Sequence, residues 1–274
     1  TRTCPIFRSK KDAELTKAVY RRVPVLIRID GEGKVVENPW GIKFGTMFHM
    51  SNDSHLFRTK KQLDEDGWEL NGNVFEKGGK TMLPLYEAKM IHHFNHRWGT
   101  YQTGKKGEPE TRDVTLEELE DPEFEVLPRY WVGKGHVDEQ LERMEWGHDW
   151  LMGWRNICRS TDERTVISGI IQTTAVGHSC PLSFINEDKI YDFYGMITSF
   201  VTDYFARQKI GGTNLTFGYI YQFPVLPPNI FDQPTHWQRS LSLAEWLKPH
   251  ILELTYTAED MRPFAEQKGY DGDP

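Results

Sequence analysis

The feature that most constrains this chain is the shortness of its strand-like runs. Val25-Leu26-Ile27-Arg28-Ile29 is ended by Asp30-Gly31, and the run from Trp68 to Phe75 is split by the hairpin signal Asn71-Gly72. Arg129-Tyr130-Trp131-Val132, Arg164 to Ile171 and Asn214 to Val225 read as further strands, rich in branched and aromatic residues. Helix patterns lie between them at uneven spacing. Ser9 caps a basic amphipathic helix with apolar positions at Leu15, Ala18, Val19 and Val23, stopping near Pro24. Val137 to Trp146 reads as a short helix and Asp188 to Lys209 as the clearest long one, closed by Gly211-Gly212. Leu243 to Gln267 reads as helical with interruptions near Pro249 and Pro263. There is no regular βαβ alternation and no internal repeat. The expected fold class is therefore α+β, mixed, with largely antiparallel strands and a few long helices, and not a doubly wound sheet.

Length bounds the answer next. A chain of 274 residues, 38% hydrophobic and 13% aromatic, has ample material for one large domain or two modest ones. No apolar run approaches the roughly 18–20 residues of a membrane span, and the N-terminus has no secretory pattern. A cytoplasmic protein without a membrane partner is expected. Cys4, Cys158 and Cys180 are odd in number and far apart, which fits unpaired, buried thiols in a reducing compartment rather than a disulfide framework.

The net charge of −7 argues at first against a nucleic-acid partner. Its distribution reverses that reading. Lys and Arg exceed Asp and Glu by seven over residues 1–62, whereas acids exceed bases by nine over residues 108–145. The field that a phosphate meets is local, within a Debye length of about 8–10 Å. A basic N-terminal part is masked by an acidic block at 108–125, expected to be a surface excursion.

Four constellations could carry chemistry. His92 and His96 of His92-His93-Phe94-Asn95-His96 would share one face of a helix and bind a metal, but no third ligand is evident, and polar contact to phosphate or backbone is the alternative use. Glu87-Ala88-Lys89, with Asp64 and Asp66 upstream, matches the pattern by which metal-dependent nucleases hold Mg²⁺ and steer water. Matches this short arise by chance in most proteins, and an exposed turn or strand edge is the plainer reading. Arg207 and Lys209, before Gly211-Gly212, suit either phosphate contact or the helix dipole. Arg155, Asn156, Arg159 and Arg164 cluster within ten residues between strand-like runs. Arg reads guanine and Asn reads adenine bidentately, so the cluster is either a base-reading edge or a solvated turn paired through Asp162 and Glu163.

Two motifs are missing from the sequence. There is no Gly-rich loop for S-adenosylmethionine or a dinucleotide, and the single Asn-Pro, at Asn38-Pro39-Trp40, lacks the second proline of an adenine-gripping Asn-Pro-Pro-Tyr loop.

Six segments, in order, carry a family resemblance: Thr46 to Phe57, Leu83 to Arg97, Arg159 to Thr165, Phe205 to Leu215 (with Ala206-Arg207-Gln208-Lys209-Ile210-Gly211-Gly212), Gln222 to Pro228, and Leu252 to Ala258. Together they resemble the C-terminal half of large bacterial adenine-specific DNA methyltransferases of restriction–modification and phage-defence systems. The resemblance implies a target-recognition region, similar in role and fold to specificity subunits, that binds double-stranded DNA. S-adenosylmethionine and the catalytic loop would belong to the other half of the parent protein, leaving no cofactor in this chain. The implied partition is a basic segment at 1–62 adjoining the catalytic domain, a recognition domain at 63–228 with the insert 108–125, and a helical segment at 229–274. Lys10, Lys11, Lys89, His93, Arg97, Arg155, Asn156, Arg159, Arg164, Arg207 and Lys209 are the candidate DNA contacts. The rival readings are a nuclease using Glu87 and Lys89, and a module that docks a methyltransferase without touching DNA.

Overall fold

The computed structural model describes residues 5–105 and 107–274, so Cys4 lies outside the described residues. The first elements in chain order are α1 (Lys10–Tyr20), β1 (Arg28–Ile29), β2 (Val35–Glu37), β3 (Lys43–Gly45), α2 (Lys60–Glu65), β4 (Glu69–Asn71), β5 (Val74–Lys77), β6 (Lys80–Tyr86), β7 (Gly99–Thr103) and β8 (Pro109–Asp113). Next come α3 (Leu116–Glu120), β9 (Trp131–Gly133), α4 (Lys134–Arg143), β10 (Trp150–Trp154), β11 (Ser168–Gln172), β12 (Ala175–Val176) and β13 (Leu182–Phe184). The last are α5 (Ile190–Ile197), α6 (Phe200–Lys209), α7 (Phe217–Ile220), α8 (Leu243–Thr255) and α9 (Arg262–Gln267). The fold is α+β, as expected. No helix of the described residues is long and apolar enough to cross a membrane.

The chain forms two compact units. One holds the residues up to Phe44, Arg155–Ser168 and Ile185–Leu252; the other holds Gly45–Trp154, Gly169–Phe184 and Glu253–Pro274. The units thus change over at positions other than the 62 and 228 read from the sequence.

The second unit is built on β6. Its first half pairs antiparallel with β5 (Phe75 opposite Met82) and β9 crosses it antiparallel (Leu83 opposite Val132). Its end pairs parallel with β12, Leu85 opposite Ala175, an exception to the antiparallel expectation. Pro84 has no N–H to give, and its carbonyl accepts a bond from the Thr174 hydroxyl at 2.6 Å. The Asn71-Gly72 signal does mark a hairpin, with Asn71 opposite Val74 and Gly72 taking the positive φ of 59° that the tight turn demands. Phe48, Tyr86, Ile91, Val132, Leu151, Ile171 and Val176 form the main core. Leu63, Phe75, Met82 and Trp131 form a smaller one, in which the Trp131 indole N–H reaches the Asn73 carbonyl at 2.7 Å. The acidic block at 108–125 carries β8, paired with β7, and α3, and its side chains are largely exposed.

The first unit packs helices around Trp40, whose ring meets Phe193 and Phe231 edge-on at 5.4 and 5.6 Å. Several expectations fail here for identifiable reasons. The single helix from 188 to 209 is two, because the Thr198 hydroxyl bonds back to the Tyr194 carbonyl (2.7 Å) while Ser199 takes an extended conformation and caps α6. The run from Asn214 to Val225 is not a strand. It coils into α7 and contributes isolated bridges at Asn214 and Pro224. Leu26 and Ile27 bond to the Phe223 and Tyr221 carbonyls outside any strand, leaving β1 only two residues long, and β11 begins at Ser168 rather than Arg164. The C-terminal helical stretch breaks after Thr255, not at Pro249, which sits inside α8. In α1 the Ser9 cap is as expected, but the covered side is Thr16 with Val19 and Tyr20, while Leu15 is 49% exposed.

Asp192 on α5 is 1% exposed, with Lys189 at 3.6 Å. Burial pushes its carboxyl up to about 6, against the pull of Lys189. Because the folded value is raised, the group favours folding fully below its unfolded value near 4, and this contribution is lost as pH rises through 6. Asp192→Asn is therefore expected to raise stability at pH 7.5 by about 1–3 kcal/mol and to flatten the pH dependence between 4.5 and 7.5. Thermal melts at both values check this. A variant that melts lower at both would show that Lys189 holds the carboxylate charged.

Candidate nucleic-acid interface

The basic candidates of the first unit gather around α6, and Asp203 organises them. Its carboxylate, 4% exposed, accepts the Thr165 and Val166 amides at 2.7 and 2.9 Å on one oxygen and Arg207 Nε at 2.7 Å on the other. Arg164 Nε stands 3.6 Å away. Arg207 then spreads its guanidinium over the adjoining loop, donating to the carbonyls of Ser160 (3.3 Å), Asp162 (2.6 Å) and Glu163 (2.5 Å). Arg164 donates to the Thr198 carbonyl at 2.5 Å. The loop is thereby fixed by its backbone, and Arg159, Thr161, Asp162 and Glu163 are its exposed residues.

Of the arginines read as a reading edge, Arg159 is the exposed one. Its own amide donates to Asp162 Oδ2 at 2.8 Å, closing a tight turn. Arg155 and Asn156 are half-buried; Asn156 accepts Leu215 N–H through its carbonyl, and its Oδ1 is buried without a hydrogen-bond partner among the described residues. Arg164 and Arg207 are fasteners of this loop rather than outward-facing contacts.

The N-terminal segment lies along the same helix. Ile6 N–H donates to the Gln208 carbonyl at 2.6 Å, and the Tyr204 hydroxyl donates to Asp12 at 2.9 Å. The hydroxyls of Ser9 and Tyr204 hold the Asp12 carboxyl below its usual range. Arg8, Lys10 and Lys11 are exposed beside it, with Lys10 in a solvated pair to Glu14 at 3.7 Å. Lys209 differs. It is 7% exposed, donates to Gln222 Oε1 at 3.1 Å and lies 5.4 Å over the Tyr20 ring, in a cleft of about 400 Å³ lined also by Ile27, Arg28 and Tyr221. It is not a surface phosphate contact.

No protein-family model and no curated protein matches the chain.

Three candidates fall in the second unit. Arg97 is corrected outright. It is fully buried, and its guanidinium donates to the carbonyls of Asp121, Phe124, Leu119 and Thr257 at 2.7–3.0 Å, so it cannot meet DNA. Lys89 is half-exposed over the Tyr101 ring at 4.7 Å and 3.8 Å from Glu87, which already accepts the Tyr101 hydroxyl at 2.7 Å. His93 is half-buried, and the histidine run is a tight turn, not a helix: His92 and Asn95 exchange both backbone bonds and Phe94 has a φ of 57°. The shared face required for a His92–His96 metal site does not form. Asp64 and Asp66 pair with Lys60 and Arg58, and no group of three potential metal ligands converges among the described residues. Gly211-Gly212 follow the end of α6, as their helix-closing reading expects.

Sequence reasoning missed Asp203, Arg8, Phe200 and Val201. The last two are 80% and 66% exposed at the start of α6. Ser199 is a capping residue type followed directly by two apolar residues, but the apolar run that continues on both sides of it hides the helix start.

Proposed function

We propose that this chain is the DNA-recognition part of an adenine-N6-specific DNA methyltransferase of restriction–modification or phage-defence type, whose S-adenosylmethionine and catalytic loop belong to another part of the parent protein. One observation carries the reading: exposed cations from two distant stretches, Arg8, Lys10 and Lys11 on one and Arg159 on the other, are braced on the same helix. Lysines on α1 supply sequence-independent phosphate contact. Arg159, on a loop held by its backbone, has the chemistry to address a base edge. A base-flipping enzyme needs such a second module to grip the duplex beside the flipped adenine. The nuclease reading loses support because Glu87, Asp64 and Asp66 do not converge.

Binding of the chain to a pool of random duplexes, followed by anisotropy against salt, tests the proposal. Affinity should fall steeply with salt. Lys10→Ala with Lys11→Ala should weaken all duplexes alike and reduce the slope of log K against log salt by about 2. In the full-length methyltransferase, Arg159→Ala should relax preference at one base pair by about 1–3 kcal/mol, read by sequencing the methylated sites. Binding that ignores salt would favour the docking module instead.

A further inference from the structure

We propose that Phe200 and Val201 form an apolar wedge that enters the base stack of duplex DNA when the α6 platform binds it. The inference rests on the DNA-reading proposal above and deepens it. The two side chains are 80% and 66% exposed, adjacent, and placed at the first positions of a ten-residue helix. The backbone beneath them is capped. The Ser199 hydroxyl accepts the Thr202 amide at 3.2 Å and fixes the first turn. The Arg164 guanidinium lies 4.5 Å from the centre of the Phe200 ring, and Arg164 is itself tied to the Thr198 carbonyl and beside Asp203. One ring face is backed by a fixed cation, while the residue remains four-fifths open. An aromatic plate in that state matches what a base offers when it unstacks.

Charge selects the occupant. Tyr204, one turn beyond Phe200 on α6, receives Asp12 from the segment that exposes Arg8, Lys10 and Lys11. The stapled loop adds Arg159. An apolar tip on a helix that carries this basic segment suits a polyanion with an apolar interior, which is duplex DNA. Wedges of this kind enter most readily at flexible pyrimidine–purine steps, where unstacking costs least.

The test uses the full chain and a pool of random-sequence duplexes carrying 2-aminopurine, whose fluorescence rises on unstacking, with end labels to report bending. The wild-type chain should raise the fluorescence and shorten the end-to-end distance. Phe200→Ala with Val201→Ala should abolish both signals, weaken binding about five- to a hundredfold, and leave the salt slope and melting temperature unchanged. Phe200→Trp should restore the fluorescence rise. Wild-type chain that binds DNA without unstacking overturns the wedge alone, as does a double variant that unstacks like wild type. A double variant that unstacks DNA normally but no longer associates with its methyltransferase catalytic domain assigns the patch to a protein partner. Absence of any duplex binding overturns the DNA-reading proposal together with the wedge.

Discussion

Asp203→Ala is expected to destabilise the chain by about 3–5 kcal/mol, the range for removing one partner of a buried ion pair. For a chain of this size that is a fall in melting temperature of about 6–20 °C. The carboxylate accepts two backbone amides, at Thr165 and Val166, and neutralises Arg207 while facing Arg164. Alanine leaves those amides unbonded and two guanidiniums with no carboxylate between them. It also frees the Arg207 fork that grips Ser160, Asp162 and Glu163. Two readouts should move together: the melting temperature falls, and proteolytic cutting between residues 155 and 165 appears under native conditions. Asp203→Asn keeps one acceptor oxygen for the amides but turns a donor toward Arg207, so it should lose less than alanine and still loosen the loop. A cost below about 1 kcal/mol for alanine would mean that water replaces the carboxylate and that the loop is held by something else.

The local part of this architecture was legible. The Ser9 cap of α1 and the Asn71-Gly72 hairpin follow from residue chemistry within three or four positions, and both are present. The division of the 188–209 helix was not, because apolar residues continue across Thr198 and Ser199 and mask the hydroxyls that break it. Nor could the sequence rank the arginines. Arg159, Arg164 and Arg207 carry the same charge, and what separates an outward contact from a fastener is the position of Asp203, 38 residues from the amide it accepts at Thr165. Likewise the helical face expected of α1 follows apolar spacing. Its burial instead follows Thr16 and Tyr20, which meet α6 through Tyr204 and Phe205. Long-range polar contacts decide these cases, and a period of 3.6 carries no information about them.

Arg97→Ala is expected to cost about 3–5 kcal/mol, a loss at the upper end for single substitutions, and to leave DNA affinity of the folded protein unchanged. The guanidinium is fully buried and bonds four carbonyls. Leu119 and Asp121 lie at the C-terminal end of α3, whose last carbonyls have no helical partner, so Arg97 acts as a buried C-cap. Thr257 and Phe124 bring two further segments to the same fork. Burial pulls the Arg97 pKa down and Asp260 opposes it; Asp260 is itself bonded to buried His96 at 2.7 Å. Alanine would strand the carbonyls of Leu119, Phe124 and Thr257, each costing about 1–3 kcal/mol if left unsatisfied, while the Asp121 carbonyl keeps the Phe124 amide at 3.2 Å, and relaxation recovers part of the sum. Arg97→Lys should not rescue, because one ammonium with three donors cannot span a planar fork of this width. Denaturant midpoints of the three proteins, with anisotropy on duplex DNA below the transition, separate the two roles. Unchanged stability with weakened DNA binding would return Arg97 to the phosphate contacts. Lowered stability with intact binding makes it the pin that holds α3 and the acidic block to the second unit's own C-terminal segment.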